Sequence, residues 1–189
     1  MLNIHSKLSD QGVTIFSVMS AMAQRLNALN MSQGFPDFPA PPALLEALGQ
    51  ATQDGFNQYA AGDGLLILRE QLAKLFLQRD QLQIDPISEI TITPGATIGL
   101  FSAIHAVVNP GDEVIIFDPS YDSYAPSVKL AGGVAVHIPL QTPDFHVDWN
   151  QVQHAINDKT RMIIVNTPHN PTGAIWAKQD WLQLITLIE

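Results

Sequence analysis

The sequence predicts an α/β/α sandwich with a mainly parallel sheet, and three observations lead there. From residue 90 onward, short β-branched runs at 90–93, 114–117, 134–138 and 162–165 alternate with apolar helical stretches. That alternation is the pattern of crossover-connected parallel strands. The run Met162-Ile163-Ile164-Val165 is continuously apolar, as in a strand buried on both faces. It then breaks into Asn166-Thr167-Pro168-His169-Asn170-Pro171-Thr172-Gly173, whose prolines lack the N–H that a ladder needs.

Taken in order, residues 13–26 form an amphipathic helix with Ile15, Met19, Met22 and Leu26 on one face, read as docking on the domain. Residues 29–32 are a short extended piece, and 33–39 a loop. Pro41 and Pro42 suit the first turn of a helix that runs to about Asp54, with Leu44, Leu45 and Leu48 inward and Gly55 as its stop. A polar loop, 57–64, leads into a helix from Leu65 to about Arg79 with Leu68, Leu72, Leu75 and Phe76 as its apolar stripe.

Residues 90–93 read as a strand, followed by the turn Pro94-Gly95-Ala96-Thr97 and an apolar helix over 98–108. Asn109-Pro110-Gly111-Asp112 ends that helix, and 114–117 is the next strand. The loop 118–122 precedes a short helix through Tyr124 to Ala131, and Gly132-Gly133 breaks to a strand over 134–138. Asp148 caps a helix through Val152 and Ile156. The strand 162–165 follows, and a last helix begins near Lys178. It is still helical and apolar at Glu189, which is the pattern expected of a fragment.

Composition bounds the function. Eighteen acids against 9 bases give a net charge of −9, with no basic cluster. Nucleic-acid and anionic-membrane surfaces need clustered Lys and Arg, so both classes are excluded as partners. There are no cysteines, which removes disulfides and thiolate metal sites and agrees with a cytoplasmic location. The stretch 13–23 ends in Ala21-Met22-Ala23 like a signal-peptide cleavage site, but Lys7 is offset by Asp10 and the cationic start is missing. No run is long enough to span a bilayer.

Chemistry concentrates in three loops at carboxyl ends of strands, where open α/β sheets bind ligands. At 94–97, Gly95 permits close backbone approach, and the N–H groups of Ala96, Thr97 and Ile98 face outward at a helix start. A phosphate there gains hydrogen bonds and the helix dipole, the latter about 0.3–2 kcal/mol. An ordinary strand-to-helix turn is the equal alternative. At 118–122, Tyr121 offers a ring face, with Tyr124 one helical turn on; a packing tyrosine is the commoner reading of a single one. At 166–173, Asn166 and Asn170 offer amides that donate and accept. Phosphate cradle, ring platform and amide edge together suit a phosphorylated aromatic cofactor such as pyridoxal phosphate.

The remaining constellations are weak. Six histidines, at 5, 105, 137, 146, 154 and 169, show no metal-ligand spacing, so no metal site is expected. His169 lies in the third loop without an acid or nucleophile partner in the sequence. Asp118 and Asp122 are either an acid pair or, more simply, surface turn formers. There is no P-loop, no dinucleotide fingerprint around Gly62-Asp63-Gly64, and no G-x-S-x-G elbow.

Asn166 to Gly173 resembles the N-x-P-x-N-P-x-G signature of class I/II aminotransferases of pyridoxal-phosphate fold type I. Gln33-Gly34-Phe35-Pro36-Asp37-Phe38, Asn57-Gln58-Tyr59, Leu68-Arg69-Glu70, Thr93-Pro94-Gly95-Ala96-Thr97 and Asp118-Pro119-Ser120-Tyr121-Asp122-Ser123-Tyr124 match that family collinearly. Within it, the chain is most similar to the methionine aminotransferase and kynurenine–glutamine transaminase-like group. The resemblance implies the N-terminal part of a fold type I large domain, with 1–40 as helix and substrate-side loop and 41–189 as partial cofactor-binding domain.

By position, the resemblance implies that Gly95, Ala96 and Thr97 hold the cofactor phosphate and that Tyr121 stacks on its pyridine ring. It implies that Asn170 bonds the ring's phenolic oxygen and helps hold the substrate carboxylate, with Asn166 in support. Gly34 faces that carboxylate through its backbone, and Tyr59 reaches a neighbouring subunit's site, which implies a homodimer. The substrates implied are an amino acid of methionine, aromatic or glutamine type and a 2-oxo acid. A cysteine-conjugate β-lyase or a non-catalytic remnant of the fold are the alternatives.

Ile98-Gly99 departs from the family's usual pair after the phosphate turn. The family's Schiff-base lysine and the aspartate that pairs with the pyridine nitrogen have no counterpart here, and Lys129, Lys159 and Lys178 lack the Ser-x-x-Lys context. No catalytic residue is therefore assigned, and the 189 residues alone are expected to be inactive.

Overall fold

Strand β1 (Glu113–Asp118) is the centre of a parallel three-stranded sheet of order β2–β1–β3, flanked by β2 (Val134–Pro139) and β3 (Thr160–Ile164). Pairing runs Val114 to Ala135 and Ile116 to His137 on one side, and Val114 to Met162 and Ile116 to Ile164 on the other. The register shifts once, between Glu113 and Val114 against β3. The computed structural model describes residues 5–9, 12–34 and 36–189. Asp10 of the leader and Phe35 of the 33–38 motif lie outside the described residues.

Alternation along the central strand makes the layers. Val114 and Ile116 point to one face, where they meet Ile104 and Val108 at the end of α4 (Ala96–Val107) and Tyr124 and Val128 of α5 (Tyr124–Leu130). Ile115 and Phe117 point to the other, against Val152 of α6 (Trp149–Ala155) and Leu187 of α7 (Lys178–Ile188). Val114, Ile115 and Ile116 are fully buried, each contributing about 1.5–3 kcal/mol of burial. The expected parallel α/β/α arrangement is therefore present.

Caps set the helix limits. Asp148 accepts from the N–H groups of Asn150 and Gln151 at 3.0 and 3.4 Å, starting α6 where the sequence predicts. Asp180 accepts from the Ala177 N–H at 2.8 Å and from Trp149 Nε1 at 3.2 Å, so one carboxylate starts α7 and ties it to α6.

The described chain falls into two compact units, Val13–Pro94 and Gly95–Glu189, the described residues before Val13 going with the second. The first unit holds α1 (Ile15–Leu26), α2 (Pro42–Gln53) and α3 (Leu66–Asp80). Thr14 accepts from the Ser17 N–H at 3.3 Å to begin α1. In α3, Arg69 is buried and bonds Asp63 Oδ2 and the Pro86 carbonyl, both at 2.9 Å.

The structure corrects the sequence reading here. Residues 90–93 form no strand. A strand needs a neighbour to complete its ladder, and Ile92 instead donates its N–H to the Asp63 carbonyl at 3.0 Å. Leu44 and Leu48, expected inward, are 61% and 64% exposed, and Leu45 is exposed as well. Ile15, Met22 and Leu26 of α1 also stay exposed, as do Leu68 and Leu75 of α3. Helical spacing shows which side chains share a face, not what covers it. Among the described residues no helix is long and apolar enough to cross a membrane.

Candidate cofactor site

Parallel pairing places the carboxyl ends of β1 and β3 on one edge of the sheet. The chain leaves that edge after each of the three strands, and two of the exits are the loop after Asp118 and Asn166 to Gly173. The start of α4 joins them, because Thr97 Oγ1 and Tyr121 Oη come within 3.5 Å. The start of α4 from Gly95, the loop after β1 and Asn166 to Gly173 thus belong to one unit and lie at one edge.

At the turn, Gly95 is the N-cap of α4 with φ of 92°, a left-handed conformation that glycine adopts without strain. It supplies no side-chain cap. The first backbone bond of the helix runs from the Gly99 N–H to the Gly95 carbonyl at 3.3 Å. The N–H groups of Ala96, Thr97 and Ile98 therefore have no intrahelical acceptor. Ala96 and Thr97 are exposed, and a side chain added at Gly95 would meet nothing within 4 Å, so the approach is open.

At the platform, Tyr121 is half-buried and meets Tyr124 edge to face, ring centroids 5.8 Å apart. Tyr124 is buried against the sheet and hydrogen-bonds the Asn166 side chain. Burial pushes the Tyr124 phenol above its ordinary value, and the Asn166 bond acts in the opposite direction. The phenol therefore stays protonated at neutral pH.

The amide loop is held from within. Its Thr167–Pro168 and Asn170–Pro171 peptides are cis. His169 donates its N–H to the Ala174 carbonyl at 2.8 Å and accepts from the Gly173 N–H at 2.7 Å. Its ring Nδ1 lies 2.8 Å from Thr172 Oγ1, which also accepts the Ala174 N–H at 3.2 Å. Thr167 Oγ1 accepts from the Trp176 N–H at 3.0 Å. His169 is buried while Asn170 beside it is exposed. A cavity of about 10 Å³ lies under the loop, lined by Phe117, Tyr124, Asn166, His169 and Trp176 among others.

Sequence reasoning found no partner for His169, although Thr172 stands three positions on and the i, i+3 spacing is a usual turn contact. It also missed Tyr124 as the partner of Asn166. Asp118 does not face Asp122 as an acid pair; its Oδ2 lies 2.8 Å from His137 Nδ1 on the neighbouring strand. Gly34 lies in the exposed loop between α1 and α2, and Tyr59 is fully exposed between α2 and α3; both belong to the Val13–Pro94 unit. Among the described residues, no group of three or more His, Asp or Glu side chains could hold a metal ion.

The donor set at this edge fits pyridoxal phosphate. N–H groups without an intrahelical acceptor at an open helix start suit a dianionic phosphate, a tyrosine face suits a pyridine ring, and the exposed Asn170 amide suits its phenolic oxygen.

A family model described as aminotransferase class I and II matches residues 27–189. The methionine aminotransferase of Escherichia coli (strain K12) is 48% identical over 179 residues, covering 95% of this chain and 46% of that protein. The probable N-succinyldiaminopimelate aminotransferase DapC of Mycobacterium tuberculosis (strain CDC 1551 / Oshkosh) is 41% identical over 173 residues, covering 90% and 43%. Among solved structures, YbdL from Escherichia coli, described with a methionine aminotransferase function, superimposes with a TM-score of 0.95 at 47% identity. It is matched over 100% of this chain and 49% of that one. The N-succinyldiaminopimelate aminotransferase from Mycobacterium tuberculosis gives a TM-score of 0.92 at 37% identity, covering 98% and 49%. The chain spans about half the length of the curated relatives it matches.

Proposed function

Since the chain belongs to the class I and II aminotransferases, a pyridoxal-phosphate-dependent family, we propose that its sheet edge is the phosphate and ring-oxygen side of that cofactor's site. In this reading the amides at Gly95, Ala96 and Thr97 hold the phosphate, and the Thr97 hydroxyl adds a donor. Tyr121 fixes the ring plane. Asn170 donates to the phenolic oxygen, and Asn166, bonded to Tyr124, supports it from behind. When bound, pyridoxal phosphate draws electrons from the carbon that carries the substrate amino group, which is what transamination requires.

The residues of this chain bind and orient. Asn170 and the Gly34 backbone meet the substrate carboxylate, and Tyr59 serves the site of a second subunit in a homodimer. The division into a substrate-side segment, 1–40, and a cofactor-binding part, 41–189, belongs to the same proposal. So does the activity of the whole protein: transfer of an amino group from an amino acid of methionine, aromatic or glutamine type to a 2-oxo acid, in the cytoplasm.

The observation that carries the reading is the approach of Thr97 and Tyr121 to 3.5 Å, which joins a phosphate turn to a ring platform. Titration of the purified chain with pyridoxal phosphate, followed by tryptophan fluorescence, is the direct test. Saturable quenching that inorganic phosphate reverses is expected. A linear response, unchanged in Gly95→Ala and Asn170→Ala, would sink the reading. For the activity of the whole protein, 2-oxo-acid-dependent consumption of L-methionine without ammonia release is expected, whereas thiol, pyruvate and ammonia released from a cysteine S-conjugate would mark a β-lyase.

A further inference from the structure

We propose that His169 is a positioning residue for Asn170, acting as a neutral imidazole that accepts the Thr172 hydroxyl proton at Nδ1 and carries its own proton on Nε2. The functional importance of Asn170 rests on the cofactor reading above; the positioning itself does not.

Three contacts from one residue close the turn. The His169 backbone makes both bonds that span it, to Ala174 and from Gly173, at 2.8 and 2.7 Å. The ring adds a third, to Thr172 at 2.8 Å. Asn170 is the next residue, the first inside that turn, and its side chain is exposed, so its direction is set by whatever fixes residues 169–174. The side chain that fixes them is 8% exposed. A ring buried to that degree does not exchange partners with water, so the contact with Thr172 is held.

The hydrogen-bond inventory sets the tautomer. Thr172 Oγ1 already accepts the Ala174 N–H at 3.2 Å, and its own proton needs an acceptor. Nδ1, at 2.8 Å, is one only if it is unprotonated. With the proton on Nδ1 instead, the threonine oxygen would fill both lone pairs and its own proton would have to turn to solvent, away from the buried ring. The balanced arrangement is Ala174 N–H to Thr172 oxygen, and Thr172 O–H to Nδ1. It leaves Nε2–H, on a ring that lines the cavity shared with Asn166 and Tyr124.

The test is nitrogen-15 NMR of the histidine rings and of the Asn170 side-chain amide in the 189-residue chain. Thr172→Val and Thr172→Ser are the comparison variants, and His169 is assigned by its loss in His169→Gln. In the unsubstituted chain, His169 should be neutral with Nδ1 unprotonated. Thr172→Val keeps the side-chain shape and removes the hydroxyl. It should move the proton population between the ring nitrogens and bring the Asn170 amide toward a freely rotating value, and Thr172→Ser should restore both. The ring signals of His105 and His154 should not move, which shows that the fold is kept. Where the chain takes up pyridoxal phosphate, Thr172→Val should weaken it by about two- to tenfold, the scale of one neutral hydrogen bond.

An Nδ1–H ring in the unsubstituted chain overturns the proposal. So does a Thr172→Val chain whose Asn170 amide is unchanged. If pyridoxal phosphate does not bind but Thr172→Val still releases the Asn170 amide, positioning stands and the cofactor reading falls.

Discussion

The phenol of Tyr124, buried against the sheet, hydrogen-bonds the side chain of Asn166. The pair joins the helix after β1 to the loop after β3, so two crossovers are linked at the edge where the site forms. Tyr124→Phe removes the hydroxyl and leaves a half-buried amide short of one partner. A loss of about 1–3 kcal/mol in urea unfolding is expected, since an unsatisfied buried group costs more than a bond gains. Asn166→Ala removes the other partner. The double variant should lose less than the sum of the two, which a double-mutant cycle measures.

Gly95 is the residue on which the phosphate turn depends. Its φ of 92° strains any L side chain, yet an added Cβ meets nothing within 4 Å. The cost of Gly95→Ala is therefore conformational, about 1–3 kcal/mol. If the turn relaxes to relieve it, the amides of Ala96, Thr97 and Ile98 swing out of line, and affinity for inorganic phosphate should fall with stability. Isothermal titration with phosphate, beside a thermal melt, checks both.

The sheet and its loops were legible because the physics there is local. A continuous apolar run such as Met162 to Val165 between turn residues reads as a strand, and β3 forms there over Thr160–Ile164, while Asp148 announces its helix by its own side chain. The turn at Gly95 could likewise be read from residue types. What failed was non-local. Residues 90–93 have a strand's composition, but a strand is defined by its neighbour, and Ile92 bonds Asp63 instead. Leu44 and Leu48 mark an apolar face without revealing that it stays uncovered. In the site, Tyr124 was seen as a ring and not as the partner of Asn166, because the 41 positions between them carry no sign of that contact.

Asn170 should matter for binding and little for folding. Its side chain is exposed. Asn170→Ala is expected to leave the urea midpoint within about 0.5 kcal/mol, as surface substitutions usually do. Pyridoxal phosphate affinity should fall by about ten- to a hundredfold, the range for a hydrogen bond to a charged oxygen. A loss of stability as large as that of Tyr124→Phe would instead make Asn170 a structural residue.

His169 makes stability depend on pH with a defined sign. Burial holds its imidazole below the ordinary value of 6.5. Between the folded value and 6.5 the unfolded chain binds the proton and the folded chain does not. Stability is therefore full above 6.5 and falls as pH falls through that window, levelling once the folded ring itself protonates. The carboxylates of Asp112, Asp144 and Asp148 are held below 3.8, so their contribution is present above 3.8 and lost only in stronger acid. The two regimes separate on the pH axis. Urea unfolding between pH 7.5 and pH 4.5 should show the decline in the unsubstituted chain and a flatter profile in His169→Gln. Parallel profiles would mean that His169 meets solvent in the folded state and does not hold the turn.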